Sequence, residues 1–207
     1  MEFKSRDKHP SPRVEEPLPQ LPFRWGVLGA SGSGKTHNLA QTLLKYYRGV
    51  FREIYVFSKN GLKETDPLNF IMADRVELEY SDEAFQKIYD LPSTDDEDRP
   101  IHRLIILDDQ IEHLENRKSS LARAMTRLRH KHFSIILVSQ KYTSIARVAR
   151  LQLTHLNIHR VSPNEVRSIG EEIFGDLNMF KKIYRVALTK THECPYPFLY
   201  INLESTR

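Results

Sequence analysis

The sequence predicts an α/β domain whose mostly parallel β-sheet carries helices on both faces. Three observations lead to this fold class. Continuous apolar segments, such as residues 104–107 and 135–138, are typical of strands that are buried on both faces. Segments with the helical spacing of apolar residues lie between them, as in sheets built from alternating strands and helices. Glycines, carboxylates and a glutamine follow the apolar segments, at the carboxyl ends where such sheets bind ligands.

The elements alternate along the first half of the chain. Ser81 is a predicted helix N-cap, and the acids that follow it, Asp82 and Glu83, are favourable in a first helical turn. Residues 92–100 have proline at both ends and are predicted to form a loop. The predicted elements are strands at residues 23–29, 52–58 and 75–80, with helices at 35–47 and after Ser81.

The second half continues the same pattern. Ser162 and Pro163 suit the N-cap and the first turn of a helix. The predicted elements are strands at residues 102–110, 133–140, 154–161 and 197–203, with helices at 114–132, 144–153, after Ser162 and at 178–188.

The domain organisation follows from composition. Residues 1–22 are rich in proline and charge and are predicted to form a poorly ordered arm, whereas residues 23–207 form a single domain with a core large enough to fold. No apolar run approaches the roughly 20 residues of a membrane span, so we expect no integral span. The single cysteine, Cys194, excludes an internal disulfide, suits a reducing compartment rather than a secreted protein, and is expected to be a partly buried loop thiol.

A glycine-rich motif joins the first strand to the first helix. Residues 29–36, GASGSGKT, match the pattern G-x-x-x-x-G-K-[ST] of phosphate-binding loops in full. Lys35 is predicted to contact the β- and γ-phosphates of ATP, and the Thr36 hydroxyl to bind Mg²⁺. A purely structural glycine turn is the alternative. The predicted nucleotide-binding residues are Gly29, Ala30, Ser31, Gly32, Ser33, Gly34, Lys35, Thr36 and His37.

Two later strand ends supply the remaining catalytic groups. Asp108 ends a buried strand and is predicted to anchor the metal, while Asp109 is placed to polarise the attacking water. Asp109 is shorter than the glutamate usual in motor ATPases. An acidic loop that begins with this pair and continues with Gln110 is the alternative. Gln140 ends the next strand and is the candidate γ-phosphate sensor; a plain strand-end glutamine is the alternative.

The charge is distributed unevenly. The formal net charge is +4, yet no acid occurs between residues 117 and 160. Such a block indicates a polyanion nearby, either nucleic acid or the triphosphate of a neighbouring subunit, although a solvated helix face is the alternative for any one residue. The block contains ten Lys and Arg residues and the histidines His130, His132, His155 and His159, which are candidates to add charge.

These motifs together resemble a known group of proteins. The G-A-S-G-S-G-K-T loop, the L-I-I-L-D-D strand and the R-L-R-H sequence before F-S-I-I-L-V-S-Q resemble the packaging ATPases of the FtsK/HerA superfamily, in particular those of poxviruses and of membrane-containing icosahedral viruses. The resemblance covers about residues 23–173. It implies a RecA-like core, a homo-oligomeric ring (a hexamer or a pentamer) and hydrolysis of ATP with Mg²⁺ to move double-stranded DNA into a preformed capsid.

The resemblance also implies roles for the basic residues. In a ring, an arginine from the neighbouring subunit completes the active site; Arg129, in the pair Arg129–His130, is the first candidate and Arg127 the second, followed by Arg147 and Arg150. The other basic residues would contact the DNA backbone without reading sequence. The arm is a candidate docking segment for a capsid vertex or viral membrane protein, and the expected location is the host-cell interior or the virion.

Other functions remain open at this level. A HerA-like DNA translocase or helicase would share every motif. A small nucleoside or nucleotide kinase shares the length and the loop, but residues 149–160 are too apolar for an arginine-rich lid. A nucleotide-binding assembly factor with little turnover is the third alternative.

Overall fold

A computed structural model describes residues 12–58, 63, 66–71, 73–77, 79–110 and 119–204. Within these residues, seven strands form one sheet in the order β3-β2-β4-β5-β1-β6-β7. The strands are β1 (Arg24–Leu28), β2 (Glu53–Ser58), β3 (Arg75–Glu77), β4 (Arg103–Asp108), β5 (Phe133–Ser139), β6 (His155–Ile158) and β7 (Leu199–Asn202). All neighbouring pairs are parallel except β6 and β7. The predicted α/β fold with a mostly parallel sheet is therefore confirmed.

Helices connect the strands. They are α1 (Lys35–Tyr46), α2 (Asp82–Tyr89), α3 (Ser120–Ala124), α4 (Arg147–Arg150), α5 (Pro163–Ile169) and α6 (Leu177–Ala187). Ser81 and Ser162 cap α2 and α5 as predicted, because their hydroxyls accept hydrogen bonds from the amides of Ala84 and Glu165. Within the described residues, no helix is long and apolar enough to cross a membrane.

The central strands are apolar throughout because both faces of the sheet are covered. In β4, Ile106 packs on the same face as Leu39 and Leu43 of α1, whereas Ile105 packs on the face that contacts Phe85 of α2 and Leu121 of α3. Burial of one such side chain contributes roughly 1.5–3 kcal/mol. Two cores thus fix the sheet between the helices, and the carboxyl ends of β1, β4 and β5 lie along one edge.

Part of the N-terminal arm contacts the domain. Residues 1–11 lie outside the described residues, but Val14 is buried in the core beneath α1. The hydroxyl of Tyr47 donates to the carbonyl of Pro19 at 2.8 Å, and the hydroxyl of Tyr200 donates to the carbonyl of Pro17. Residues 12–22 thus contact the domain through an apolar side chain and two carbonyl groups, and the poor order of the arm stays a prediction.

The basic helix predicted at residues 114–132 is also shorter than expected. Residues 111–118 lie outside the described residues, and α3 ends at Ala124 before a 3₁₀ turn at Leu128–Lys131. Leu121, Met125 and Leu128 are buried, as their spacing predicted. Hydrogen bonds between residues three apart, such as from the Arg127 amide to the Ala124 carbonyl, tighten the chain so that it can enter β5.

Two histidines of the basic block are part of the core. His155 and His159, on and just after β6, are 2% and 0% exposed. Burial disfavours the charged imidazolium and lowers the pKa of each to about 4. The expectation that they add positive charge at neutral pH is wrong, because desolvation keeps both rings neutral.

The buried neutral His155 predicts an acid-sensitive stability. The His155 ring takes up a proton near pH 6.5 in the unfolded state but only near pH 4 in the folded state. Its contribution to the free energy of unfolding is therefore fully present above pH 6.5 and is lost as the pH falls from 6.5 to 4. The free energy of unfolding should fall by about 2 kcal/mol between pH 8 and pH 5 because of this group. Urea denaturation at both pH values checks it: His155→Gln should show a loss smaller by that amount, and an equal loss in both proteins would contradict the assignment.

Candidate active site

The phosphate-binding loop lies at the carboxyl end of β1 and is fixed to the strands on either side. The amide of Gly29 donates to the carbonyl of Ser139, the last residue of β5, at 3.1 Å, and the amide of Ala30 donates to the carbonyl of Arg160, after β6, at 2.8 Å. Gly32 and Gly34 have φ angles of 69° and 85°. Glycine adopts this left-handed region without steric cost, which allows the loop to curl before α1.

His159 supports the loop from below. Its Nδ1 lies 3.1 Å from the Ser33 carbonyl. A Cβ atom on Gly29 would lie 2.7 Å from the His159 Cβ and 2.4 Å from the Ser33 Oγ, so only glycine fits there. From the sequence, His159 was predicted only as a candidate positive charge, because its proximity to the loop depends on the pairing of β1 with β6.

The start of α1 favours an anion. No acidic side chain lies in its first turn, and Gly34 provides no side-chain cap, so the amides at this end retain their positive partial charge. Lys35 follows immediately. Burial lowers the pKa of Lys35, while the nearby carboxylates of Asp108 and Asp109 act in the opposite direction. The predicted cation and the two predicted acids are therefore close together.

Asp108 lies in a group of acids at the end of β4. Burial, followed by the nearby carboxylates of Asp66 and Asp109, raises its pKa to about 6, against the opposing charge of Lys35. Asp66 lies before the 3₁₀ turn Pro67–Ile71, and its Oδ1 accepts a hydrogen bond from the Leu68 amide at 2.8 Å. Asp66 belongs to no sequence motif and could not be predicted as a site residue; it comes near Asp108 because β2 and β4 are neighbours.

The Thr36 hydroxyl and the carboxylates near Asp108 suit a Mg²⁺ ion that also binds the substrate. A divalent cation would offset the mutual repulsion of the carboxylates around Asp108, and oxygen donors such as the Thr36 hydroxyl and carboxylates are those that Mg²⁺ prefers. Among the described residues, however, no cluster of three or more His, Cys, Asp or Glu side chains could hold a metal ion. Mg²⁺ commonly completes its shell with water and substrate phosphates.

Asp109 and Gln140 contact each other. The Gln140 Nε2 lies 3.3 Å from both carboxylate oxygens of Asp109. Asp109 has a φ of 54°, and its amide donates to the Val138 carbonyl at 3.2 Å. Gln110 turns inward, is fully buried and accepts a hydrogen bond from the Tyr80 amide. The backbone at Asp109 thus leaves β4 in a fixed turn, and the next side chain, Gln110, is buried.

The candidate arginines occupy different places. Arg127 is exposed just before the 3₁₀ turn, and the backbone of Arg129 is part of that turn, while its side chain lies outside the described part of the structure. This turn precedes β5, whose seven residues span about 20 Å, so both arginines lie at the sheet edge opposite the loop. Arg127 is therefore far from the phosphate site of its own chain.

Arg150 has a structural role instead. Its guanidinium binds the Glu172 carboxylate at 2.9 Å, donates to the carbonyls of Thr143 and Ile145, and lies 4.7 Å from the centre of the Tyr142 ring. These contacts hold the Arg150 guanidinium against groups of its own chain. Arg147, in the first turn of α4, is exposed.

The domain has the fold of a P-loop NTPase. Three features define this class of protein: the strand order of the sheet, the loop between β1 and α1 and the acids at the end of β4. Residues 14–190 match the sequence profile of the family described as Poxvirus A32 protein, and the chain belongs to that family.

Relatives with curated descriptions agree with this assignment. The DNA packaging protein OPG160 of Variola virus is 28% identical over 188 residues, which cover 82% of this chain and 68% of the relative. OPG160 of Vaccinia virus (strain Copenhagen) is 28% identical over 163 residues, covering 74% of this chain and 59% of the relative.

Solved structures show the same fold. B204, the DNA-packaging ATPase from Sulfolobus Turreted Icosahedral Virus, has a TM-score of 0.63 at 17% identity, covering 91% of this chain and 96% of B204. The genome packaging NTPase B204 from Sulfolobus turreted icosahedral virus 2, solved with ATP-gammaS, has a TM-score of 0.62 at 18% identity, covering 90% of this chain and 94% of B204. At these identities, the likeness establishes the fold of this chain.

Proposed function

We propose that this chain is an ATP-hydrolysing motor that translocates double-stranded DNA and packages a viral genome into a preformed capsid. One observation carries the proposal: Gln140 contacts Asp109 at the sheet edge that also holds Lys35 and the phosphate-binding loop. This arrangement suits attack by water on a bound triphosphate. The DNA-packaging relatives and the basic block support DNA as the polymer that is moved.

The chemistry follows from the side chains at this edge. The loop amides, the N-terminus of α1 and Lys35 bind the phosphates of ATP, and Lys35 stabilises charge that develops on the transferred phosphoryl group. Asp109 accepts a hydrogen bond from the attacking water, and Gln140 fixes the orientation of the Asp109 carboxylate. Thr36 and Asp108 would hold Mg²⁺, which would supply neutralisation of the triphosphate charge.

The position of the arginines favours a homo-oligomeric ring, either a hexamer or a pentamer. Arg129 and Arg127 lie at the edge opposite their own loop, so they can complete a site only in a neighbouring subunit. Arg129 is the first candidate for this role. An arginine supplied in trans typically accelerates phosphoryl transfer about 10³–10⁵-fold.

The remaining proposals concern partners and location. Exposed cations of the basic block, such as Arg123, Lys141 and Arg147, would contact DNA phosphates without reading the sequence. A capsid vertex or viral membrane protein is the proposed docking partner of the N-terminal segment. The proposed location is the host-cell interior, where virions assemble, or the virion itself.

Phosphate release tests the proposal directly. We expect the purified protein with Mg²⁺ to release phosphate from ATP and to do so faster with double-stranded DNA, because DNA binding couples to the motor cycle. The stimulation should fall as salt rises, since backbone contacts depend on counterion release. A panel of nucleosides is the control: phosphate transfer to a nucleoside would identify a kinase, and DNA unwinding without packaging would favour a HerA-like helicase.

Mixed rings test the arginine in trans. Arg129→Ala protein keeps an intact loop, and Lys35→Ala protein keeps an intact arginine, so each alone should be inactive. Random mixing in equal amounts would make about one quarter of the sites complete in a closed ring. We expect ATPase activity to return on mixing; a failure to recover at every ratio would contradict a trans role for Arg129.

A further inference from the structure

A cleft beside the phosphate-binding loop has no role in the chemistry described above. It has a volume of about 460 Å³ and lies between α1 and the segment 193–198, which leads into β7. Its lining includes His37, Asn38 and Gln41 from α1 and Cys194, Tyr196 and Phe198 from the segment. Residues 193–198 follow the end of the family match at residue 190. This wall of the cleft is therefore supplied by a part of the chain outside that match.

The segment is held against the loop by specific contacts. Tyr196 packs directly on Gly34, because a Cβ atom on Gly34 would lie 2.5 Å from the Cβ and Cγ atoms of Tyr196. The Asn38 side-chain amide donates to the Tyr196 carbonyl at 2.8 Å. The rings of Tyr196 and His37 have their centres 6.0 Å apart. The first turn of α1 and residues 193–198 thus contact each other and together line the cleft next to the phosphate-binding loop.

We infer that the base and ribose of the nucleoside triphosphate lie in this cleft and that Tyr196 contacts the nucleoside. The inference rests on the proposed function. A triphosphate held by residues 29–36 continues past Thr36 to the first turn of α1, where His37 borders the cleft. The cleft combines aromatic faces, which stack on bases, with a few polar groups, as sites for small ligands usually do.

The single cysteine of the chain provides a direct test. Cys194 lines the cleft and is exposed, not partly buried as its sequence position suggested. A non-hydrolysable ATP analogue with Mg²⁺ should slow maleimide labelling of Cys194 about tenfold, because ligands in such clefts are largely enclosed. Tripolyphosphate, which fills the loop but lacks a nucleoside, should leave the labelling rate unchanged. Cys194→Ser protein, which lacks a thiol, gives the background.

The outcomes separate the inference from the proposed function. Equal protection by the analogue and by tripolyphosphate would overturn the inference, since the nucleoside would then play no part. Displacement of tripolyphosphate by the analogue without any protection would overturn it as well, while leaving the proposed ATPase intact. Failure of both compounds to bind would overturn the proposed function and the inference together.

Substitution of Tyr196 gives an independent readout. Tyr196→Ala should raise the Kd of the ATP analogue about tenfold, because it removes the aromatic ring that contacts the nucleoside. The Kd of tripolyphosphate should stay within about twofold, and Tyr196→Phe, which keeps the ring, should restore nucleotide affinity. An equal loss of affinity for both compounds would mean that Tyr196 acts only by supporting Gly34, and would overturn its assignment as a nucleoside contact.

Discussion

Replacement of Lys35 with alanine is expected to reduce ATP hydrolysis at least about 100-fold, the cost of removing a charged group that stabilises the transition state. The structure adds a second effect. Lys35 is the cation that opposes the raised pKa of Asp108, so its loss leaves the carboxylates of this edge without compensation. Steady-state phosphate release under saturating ATP and Mg²⁺ measures the change.

The control for Lys35→Ala is Lys181→Ala, which removes an exposed lysine on α6. It should leave the rate within about twofold, as expected for a surface substitution away from the site. Thermal denaturation of both variants shows whether folding is retained. A well-folded Lys35→Ala protein that hydrolyses ATP at the rate of the unaltered protein would contradict the assignment of the phosphate site.

Asp109→Asn is expected to lower the rate of hydrolysis about 100- to 1,000-fold while nucleotide binding changes little. An amide has nearly the shape of the carboxylate but cannot act as a general base, whose contribution is typically 10²–10⁴-fold. The contact with Gln140 can persist, because the asparagine Oδ1 still accepts the hydrogen bond that Gln140 donates. A binding assay together with single-turnover hydrolysis separates these two effects.

Asp96→Asn is the matched control for Asp109→Asn, since Asp96 is exposed in the loop at residues 92–100. The same chemical change there should not alter the rate. If Asp109→Asn instead weakened nucleotide binding in proportion to the loss of rate, Asp109 would act in binding and not in the activation of water.

Much of the candidate active site could be predicted from the sequence. The loop at residues 29–36 is a local motif, and it lies at the end of β1 as expected. Asp108 and Asp109 end and follow a strand whose burial was evident from its continuous apolar residues. In a parallel sheet, the carboxyl ends of the strands meet at one edge, so these groups had to lie on the same side of the domain.

The lengths of the helices could not be predicted in the same way. The spacing of Leu121, Met125 and Leu128 indicated which side chains are buried, and all three are. It did not indicate that the chain tightens into a 3₁₀ turn, because that depends on where β5 must begin. The spacing of apolar residues reports burial more directly than it reports hydrogen bonding.

The sequence by itself determined the fold class, the phosphate loop and the acids at the strand end, because these depend on local backbone geometry and on the alternation of apolar segments. Only the tertiary structure decided that Asp66 lies near Asp108, that His159 supports the loop and that Tyr196 packs on Gly34. It also decided that His155 and His159 are neutral. Strand pairing brings residues more than 100 positions apart into contact, and the charge of a side chain depends on the water that this packing excludes.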